Sequence, residues 1–370
     1  MATTTLTRQA PGAARNSVLN FVARSWSYLF LLGMVLFFSI FGQGFFSVRN
    51  FSSVLVTSTL VTLIGIGQTF VIITAGIDLS LGWTVGLASV ICARLMRALV
   101  NVNGFDPTLA ILFGVGGGLL VSLIPGLING LLIARVKVPP FIATLGMFGI
   151  VRGVAFLLTD GQNVVGNLPS NIRSTLSGIG NGSLVYYTPG YGISLFNEPA
   201  GLAPDQLRGV QLLAPYPVLV TIVVILIFGF VLTRTQFGRH TYAIGGSQEA
   251  SIRAGIDVRG HLIRIYMLSA FCAGIAGVLH VFRYTAGAPQ AGEAQLLDSV
   301  AAVVIGGTSL FGGAGRVRGT VIGALIIGLL STGLIILNVD SLWQFVVVGI
   351  VIIIAVLVNQ AQAFLERRKA

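Results

Sequence analysis

Apolar stretches long enough to cross a lipid bilayer follow one another along most of this sequence. A crossing helix needs about 20 mainly apolar residues. Clear windows lie near 26–46, 51–73, 109–133, 215–233, 262–282, 320–337 and 342–362. Shorter or interrupted ones lie near 79–99, 140–158 and 296–312. The pattern predicts an all-α, polytopic integral membrane protein with about ten transmembrane helices. Composition excludes the alternatives. Charged residues make up 9% of the 370, against about 25% in an ordinary soluble domain. A water-soluble fold would have too little polar surface to cover that much apolar matter.

The first window is too long for the apolar part of a cleaved leader, and no small-residue cleavage site follows it. Residues 1–25 are expected to be a flexible cytoplasmic tail, 26–362 the transmembrane domain, and 363–370 a cytoplasmic C-terminal tail. The net charge of +11 is expected to set orientation rather than to bind nucleic acid, because cytoplasmic loops of membrane proteins collect Lys and Arg. Ten crossings with both termini inside place most of the 22 basic residues in the cytoplasm. Only Arg49, Arg173, Arg208 and Arg283 then fall outside, and Arg94, Arg97 and Arg152 lie within or at the ends of spans. Arg152 is expected either to reach the interface or to pair with Asp160.

Two loops are long. Residues 159–214 hold Asn, Gly, Pro and Ser clusters (NLPSN, GIGNGS, TPGYG) and no convincing apolar helix. They are expected outside, as a folded cap or a docking surface. Residues 234–261 are the most polar, basic part of the chain and are expected inside. There, Gly245 and Gly246 suit a tight turn, Ser247 can cap a helix start, Glu249 favours its positive first turn, and Gly255 suits a left-handed stop. This predicts a short helix near 247–254, with Ala250 and Ile252 free to fit a groove.

An internal echo links FVIITAGIDLSLG (70–82) to AAVVIGGTSLFGG (301–313). Gly76, Leu79 and Gly82 align with Gly307, Leu310 and Gly313. Each string carries an apolar run into a glycine elbow with a small polar residue, as broken helices do in transporters built from repeats. An inverted repeat would turn one elbow to the other side of the membrane. Asp78 is expected to cap the helix that starts near Ser80. Gln68, Thr69, Asn129 and Thr144 are polar groups inside apolar runs, which must find partners. They serve either as helix glue or as lining of a path.

The sequence has no GxxxxGK[ST] loop to hold a nucleotide, no Cys/His group with metal spacing, and no nucleophile elbow or carboxylate pair. No catalytic or metal-ligating set, and no cofactor, is expected. Cys92 and Cys272 lie in apolar stretches and are expected to be buried. Intramembrane ionisable groups, which ion-coupled carriers use, are few. A carrier powered from elsewhere fits this pattern better than a secondary carrier, a channel or an inert scaffold.

Four strings then carry a resemblance. FGRHTYAIGGSQEASIRAGI (237–256), AGIDLSLG (75–82), VPPFIATLGMFGIVRG (138–153) and LLDSVAAVVIGGTSLFGGAGRVRGTVIGAL (296–325) occur in order within 51–358. Together they resemble the ribose/xylose-type sugar permeases of bacterial ATP-binding-cassette importers. Ser247 replaces the family's usual Asn, Glu249-Ala250-Ser251 replaces Glu-Ala-Ala, and Leu296 replaces a usual Glu. The resemblance implies a permease in the bacterial inner membrane that pairs with a second permease chain, a copy of itself. An ATPase subunit would bind ATP and Mg, and a periplasmic binding protein would deliver a pentose or hexose. Gly238, Arg239, Gly245, Gly246, Glu249, Ala250 and Gly255 would couple to the ATPase. Gln68, Gly76, Asp78, Ser80, Asn129, Thr144, Gly307, Thr308 and Ser309 would line the path or form its elbows. Arg49, Arg173 and Arg208 would receive the binding protein. Nucleosides and branched-chain amino acids are the alternative substrates.

Overall fold

A computed structural model describes residues 11–162, 168–199, 201–340, 342–351, 353–354 and 357. Residues 1–10 of the expected N-terminal tail, the C-terminal tail 363–370, and parts of the outer loop (163–167, 200) and of the last window lie outside these. In chain order the elements are α1 (Pro11–Phe41), α2 (Val48–Ile73), α3 (Leu81–Asn101), α4 (Pro107–Leu131), a π-helical turn (Leu132–Val136), α5 (Pro140–Leu157) and α6 (Ser170–Gly180). Strands β1 (Val185–Thr188) and β2 (Gly192–Leu195), α7 (Pro204–Leu207) and β3 (Gln211–Leu212) follow. The chain continues through α8 (Tyr216–Arg234), α9 (Gln236–Gly246), α10 (Gln248–Arg253), α11 (Val258–Tyr284), α12 (Glu293–Ile305) and α13 (Val317–Ile336).

Each of the ten apolar windows holds a helix among its described residues, but the helix in the first ends at Phe41 and that in the window 296–312 at Ile305, short of the expected bounds. Among the described residues, seven helices are long and apolar enough to cross a membrane: α2, α3, α4 with its π-helical turn, α5, α8, α11 and α13. Trp26–Phe41 and Leu342–Val351 are shorter apolar helices, and α12 has 13 residues. The helix α1 starts at Pro11, so residues 11–25, expected as tail, continue the first apolar helix. Adding residues to a formed helix costs far less than nucleating one.

The bundle is centred on α2 and α11. Backbones approach closely where side chains are absent, which is how helices associate without a water-driven hydrophobic force. A Cβ on Gly126 of α4 would strike the Tyr266 carbonyl of α11, and one on Gly67 of α2 would strike Ser269. Cys92 and Cys272 are buried free thiols in this core. Around it, α4, α5 and α8 turn Leu112, Leu120, Ile150, Leu157, Leu226 and Phe230 outward, an apolar exterior suited to lipid.

The helix α12 is short for a structural reason. After α11, residues 287–292 run back along α3. The Ser89 hydroxyl donates to Ala288 O (2.9 Å) and accepts from its N–H (3.0 Å). Gly292 then abuts Gly82, so α12 starts part-way down the bundle.

The described parts of the long loop 159–214 are folded. The helix α6 seats Ile172 and Leu176 against Val281 and Phe282 of α11. A three-stranded antiparallel sheet follows in the order β2-β1-β3, with Tyr186 opposite Ser194 on one side and Leu212 on the other. The sequence has no apolar run here because this helix buries only one narrow stripe.

Candidate functional site

The first helix break lies between α2 and α3. The helix α2 closes on itself: Ala75 N–H donates to Ile72 O (2.9 Å) and Gly76 N–H to Val71 O (3.0 Å). Ala75 takes the left-handed conformation, φ 60°, at a position usually given to glycine. Asp78 then accepts from the backbone N–H (3.0 Å) and hydroxyl (2.6 Å) of Ser80, through one carboxylate oxygen. Ser80 also accepts from the Asn129 amide of α4 (3.0 Å). Thr144 of α5 donates to Ile77 O (3.1 Å). Asp78 does not cap α3 itself: the N-cap is Ser80, with no side-chain cap bond, and Asp78 closes a turn on Ser80 just before the helix. Asn129 and Thr144 tie α4 and α5 to the break.

Further buried polar atoms surround it. The second Asp78 oxygen, Asn129 Oδ1, both amide atoms of Gln68, the Tyr266 hydroxyl and the Ser269 hydroxyl are buried with no protein partner. The Tyr266 hydroxyl faces Gly76, where a Cβ would collide with it. Tyr266 and Ser269 were hidden in the sequence inside the apolar run 262–282. Thr69 is glue between spans: its hydroxyl lies 2.6 Å from that of Thr320 on α13.

The second break, 306–316, uses the same closure. Gly307 N–H donates to Val304 O (2.9 Å) and Thr308 N–H to Val303 O (3.2 Å), with Gly307 left-handed at φ 85°. The closing residues Ala75 and Gly307 are 232 positions apart, whereas the glycine alignment gives 231. The polar turn residues Asp78 and Ser309 keep the offset of 231, because Ser309 Oγ accepts from Phe311 N–H (3.3 Å) as Asp78 does from Ser80. The two elbows therefore share their parts but differ by one residue in spacing. They are not turned to opposite sides of the molecule. Gly313 N–H donates to Ile73 O across the pair (2.8 Å).

At that junction lies the basic loop. The helix α10 begins and ends as expected: Ser247 caps it, accepting from Ala250 N–H (3.2 Å), and Gly255 is left-handed, φ 81°. Glu249 pairs with Arg253 at 2.8 Å, and Ala250 and Ile252 are exposed. Gly245 and Gly246 do not form a tight turn. They are the last two residues of α9, a helix the sequence did not signal; the elbows press on Gly245, whereas a side chain on the exposed Gly246 would meet nothing. A Cβ on Gly245 would overlap Ile73 O and crowd Gly313 N. Gly238 is buried where a Cβ would overlap Leu232 O, which lets α9 turn sharply off α8. Arg239 is exposed. Ile244 anchors α9 among Ala134, Val258 and Leu262. Tyr242, in the sequence string but not singled out there, donates its hydroxyl to Gly315 O (2.6 Å). Burial pushes the Tyr242 hydroxyl above its ordinary pKa, and Arg316 nearby pulls it partly back, so it remains a donor. Beside α10, a cavity of about 550 Å³ opens between Ile133, Lys137, Ile252 and Arg259.

On the far face, Arg49 donates to the Arg208 carbonyl. Arg49 also lines a cleft of about 220 Å³ with Asn181 and Arg283. Arg173 is exposed on α6. Arg152 stacks 5.0 Å over the ring of Trp83 instead of pairing with Asp160, because the buried indole offers a cation a face at closer range.

Residues 50–356 match the family model described as branched-chain amino acid transport system / permease component. The chain is 38% identical over 336 residues to the ribose import permease protein of Bacillus subtilis (strain 168), covering 91% of this chain and 92% of the relative. It is 37% identical over 330 residues to the fructose import permease protein of Rhizobium meliloti, covering 89% and 83%. To the D-allose transport system permease protein of Escherichia coli (strain K12) it is 34% identical over 358 residues, covering 96% and 98%.

Proposed function

The chain belongs to the branched-chain amino acid transport system / permease component family, and from that premise we propose that it is the membrane subunit of an ATP-driven importer for a monosaccharide. The sugar is a pentose or hexose, as the names of its relatives suggest (ribose, fructose, allose). A separate ATPase subunit supplies ATP binding and hydrolysis, with its Mg. The permease cycles between outward- and inward-facing states and performs no covalent chemistry itself. It resides in the bacterial inner membrane, with both termini and α9–α10 in the cytoplasm. It works as a pair with a second copy of itself, and a periplasmic sugar-binding protein docks on the far face at Arg49, Arg208 and Arg173.

One observation carries this reading. The most polar loop of a greasy chain folds into two short helices, one exposed for a partner and the other pressed against both helix breaks. A carrier that draws no force from a partner has no use for that arrangement. Sugar hydroxyls suit the small polar groups at the first break, which bind weakly enough to release.

The test is recruitment. Glu249→Lys with Ala250→Asp places wrong charge on the exposed face of α10. The ATPase is expected to be lost from the purified complex while membrane insertion stays normal. Normal co-purification refutes the coupling role, and uphill solute accumulation by vesicles holding only this polypeptide refutes the whole reading. Binding of labelled pentoses, hexoses and branched-chain amino acids to the delivery protein names the substrate class.

A further inference from the structure

We propose that Tyr242 and Gly245 are positioning residues that fasten the coupling loop to both helix breaks, so that α9, the end of α2 and the elbow 306–316 move as one rigid piece. This rests on the reading that the ATPase grips α10. It goes further by naming what that grip pulls on.

Three contacts converge within one layer. The Gly313 N–H bonds Ile73 O. The Cα of Gly245 packs on that same carbonyl so closely that no side chain fits between. The Tyr242 hydroxyl reaches Gly315 O, two residues along the elbow. Two of these contacts are backbone against backbone and have no rotamers to yield, so the junction cannot deform by small side-chain shifts. Only Gly246, the last residue of α9, lies between Gly245 and the cap of the docking helix. Ser247 is at once the last cap of α9 and the first cap of α10.

Displacement of α10 therefore passes to α9, to Ile73 and to Gly313–Gly315 together. From Ile73 it continues into the first break, where Ile77 holds Thr144 of α5 and Ser80 holds Asn129 of α4. The coupling loop thus has a continuous series of contacts to both halves of the echo and to two further spans. Such a series counts as a transmission route only if breaking a link changes coupling.

The experiment uses the full chain, reconstituted with its ATPase and binding protein, and reads sugar moved per ATP hydrolysed. Tyr242→Phe keeps the ring and removes only the donor. With ATPase turnover and complex assembly held near native, the ratio is expected to fall about three- to tenfold, the equilibrium weight of roughly one hydrogen bond. Amide exchange over 241–246 and 311–315 is the second measurement. Protection there is expected to be the same in the nucleotide-free and ATP-trapped states. A native ratio in Tyr242→Phe, or loss of protection in either state, overturns the rigid junction. If the unsubstituted complex fails to raise its ATP hydrolysis when sugar is delivered, the importer reading falls, and this proposal with it.

Discussion

Ser80→Ala tests the first helix break most directly. The Ser80 hydroxyl is the bridge of that site: it donates to Asp78 (2.6 Å) and accepts from the Asn129 amide (3.0 Å). Its removal leaves little space, because the change is one oxygen atom. It also leaves the bond from Ser80 N–H to Asp78 in place. The cost comes from hydrogen bonding. A bond to a carboxylate is worth about 1.5–3 kcal/mol and a neutral one about 0.5–1.5 kcal/mol, so the sum is roughly 2–4.5 kcal/mol. Asn129 then has no protein partner for its side chain, since its Oδ1 already lacks one. Unfolding in mixed detergent micelles measures the loss, and a double-mutant cycle with Asn129→Ala isolates the amide contact. The two substitutions together are expected to cost about 1 kcal/mol less than their sum, as for residues in contact. Additivity within about 0.3 kcal/mol, or a Ser80→Ala cost below about 0.5 kcal/mol, shows that the bridge contributes nothing and refutes the reasoning.

Two further outcomes follow from the same structure. Ser247→Ala removes the cap of α10 at a cost of about 1 kcal/mol to that helix. The amide of Ala250 is expected to exchange faster and the ATPase to co-purify more weakly, while unchanged exchange would deny the cap any role. Arg49→Glu with Arg208→Glu reverses two neighbouring charges on the far face, and binding-protein-stimulated ATP hydrolysis is expected to drop several-fold. Arg173→Glu, made separately on α6, shows whether docking extends across the cap.

The parts of the molecule that were legible in the sequence are those fixed by local chemistry. Windows of apolar residues located the spans, because lipid leaves no other place for them. Ser247, Glu249 and Gly255 located α10 within a residue or two, because caps and left-handed stops are chosen by neighbouring backbone. What escaped was set by distant contacts. The helix α9 carries Gly238, Gly245 and Gly246, poor helix formers, and is held by Ile244 packing on α11 and by the elbows. The one-residue difference between the breaks is visible only in which amide closes each helix. Ala75 in a left-handed position carries no glycine to announce it. Tyr242 offered the one usable hint, a donor-bearing ring in a polar loop three residues before paired glycines, since buried tyrosine hydroxyls find acceptors.

The placement of the two breaks side by side follows from the cost of bare backbone. A helix that stops inside a membrane leaves its last carbonyls without partners, and lipid supplies none. The helix α2 satisfies two of them itself, Val71 O and Ile72 O, by closing through Gly76 and Ala75. Ile73 O remains, and no residue of its own elbow reaches it by a backbone bond. The second elbow supplies the missing donor, Gly313 N–H. That solution requires the two elbows to lie at one depth. It also requires whatever else approaches Ile73 to be stripped of side chain, which is the condition Gly245 meets. Gly245, which looked in the sequence like part of a turn, is therefore better understood as clearance. Backbone economy at a broken helix put the two elbows together, and the polar helix that presses against them, α9, is the one that leads into α10.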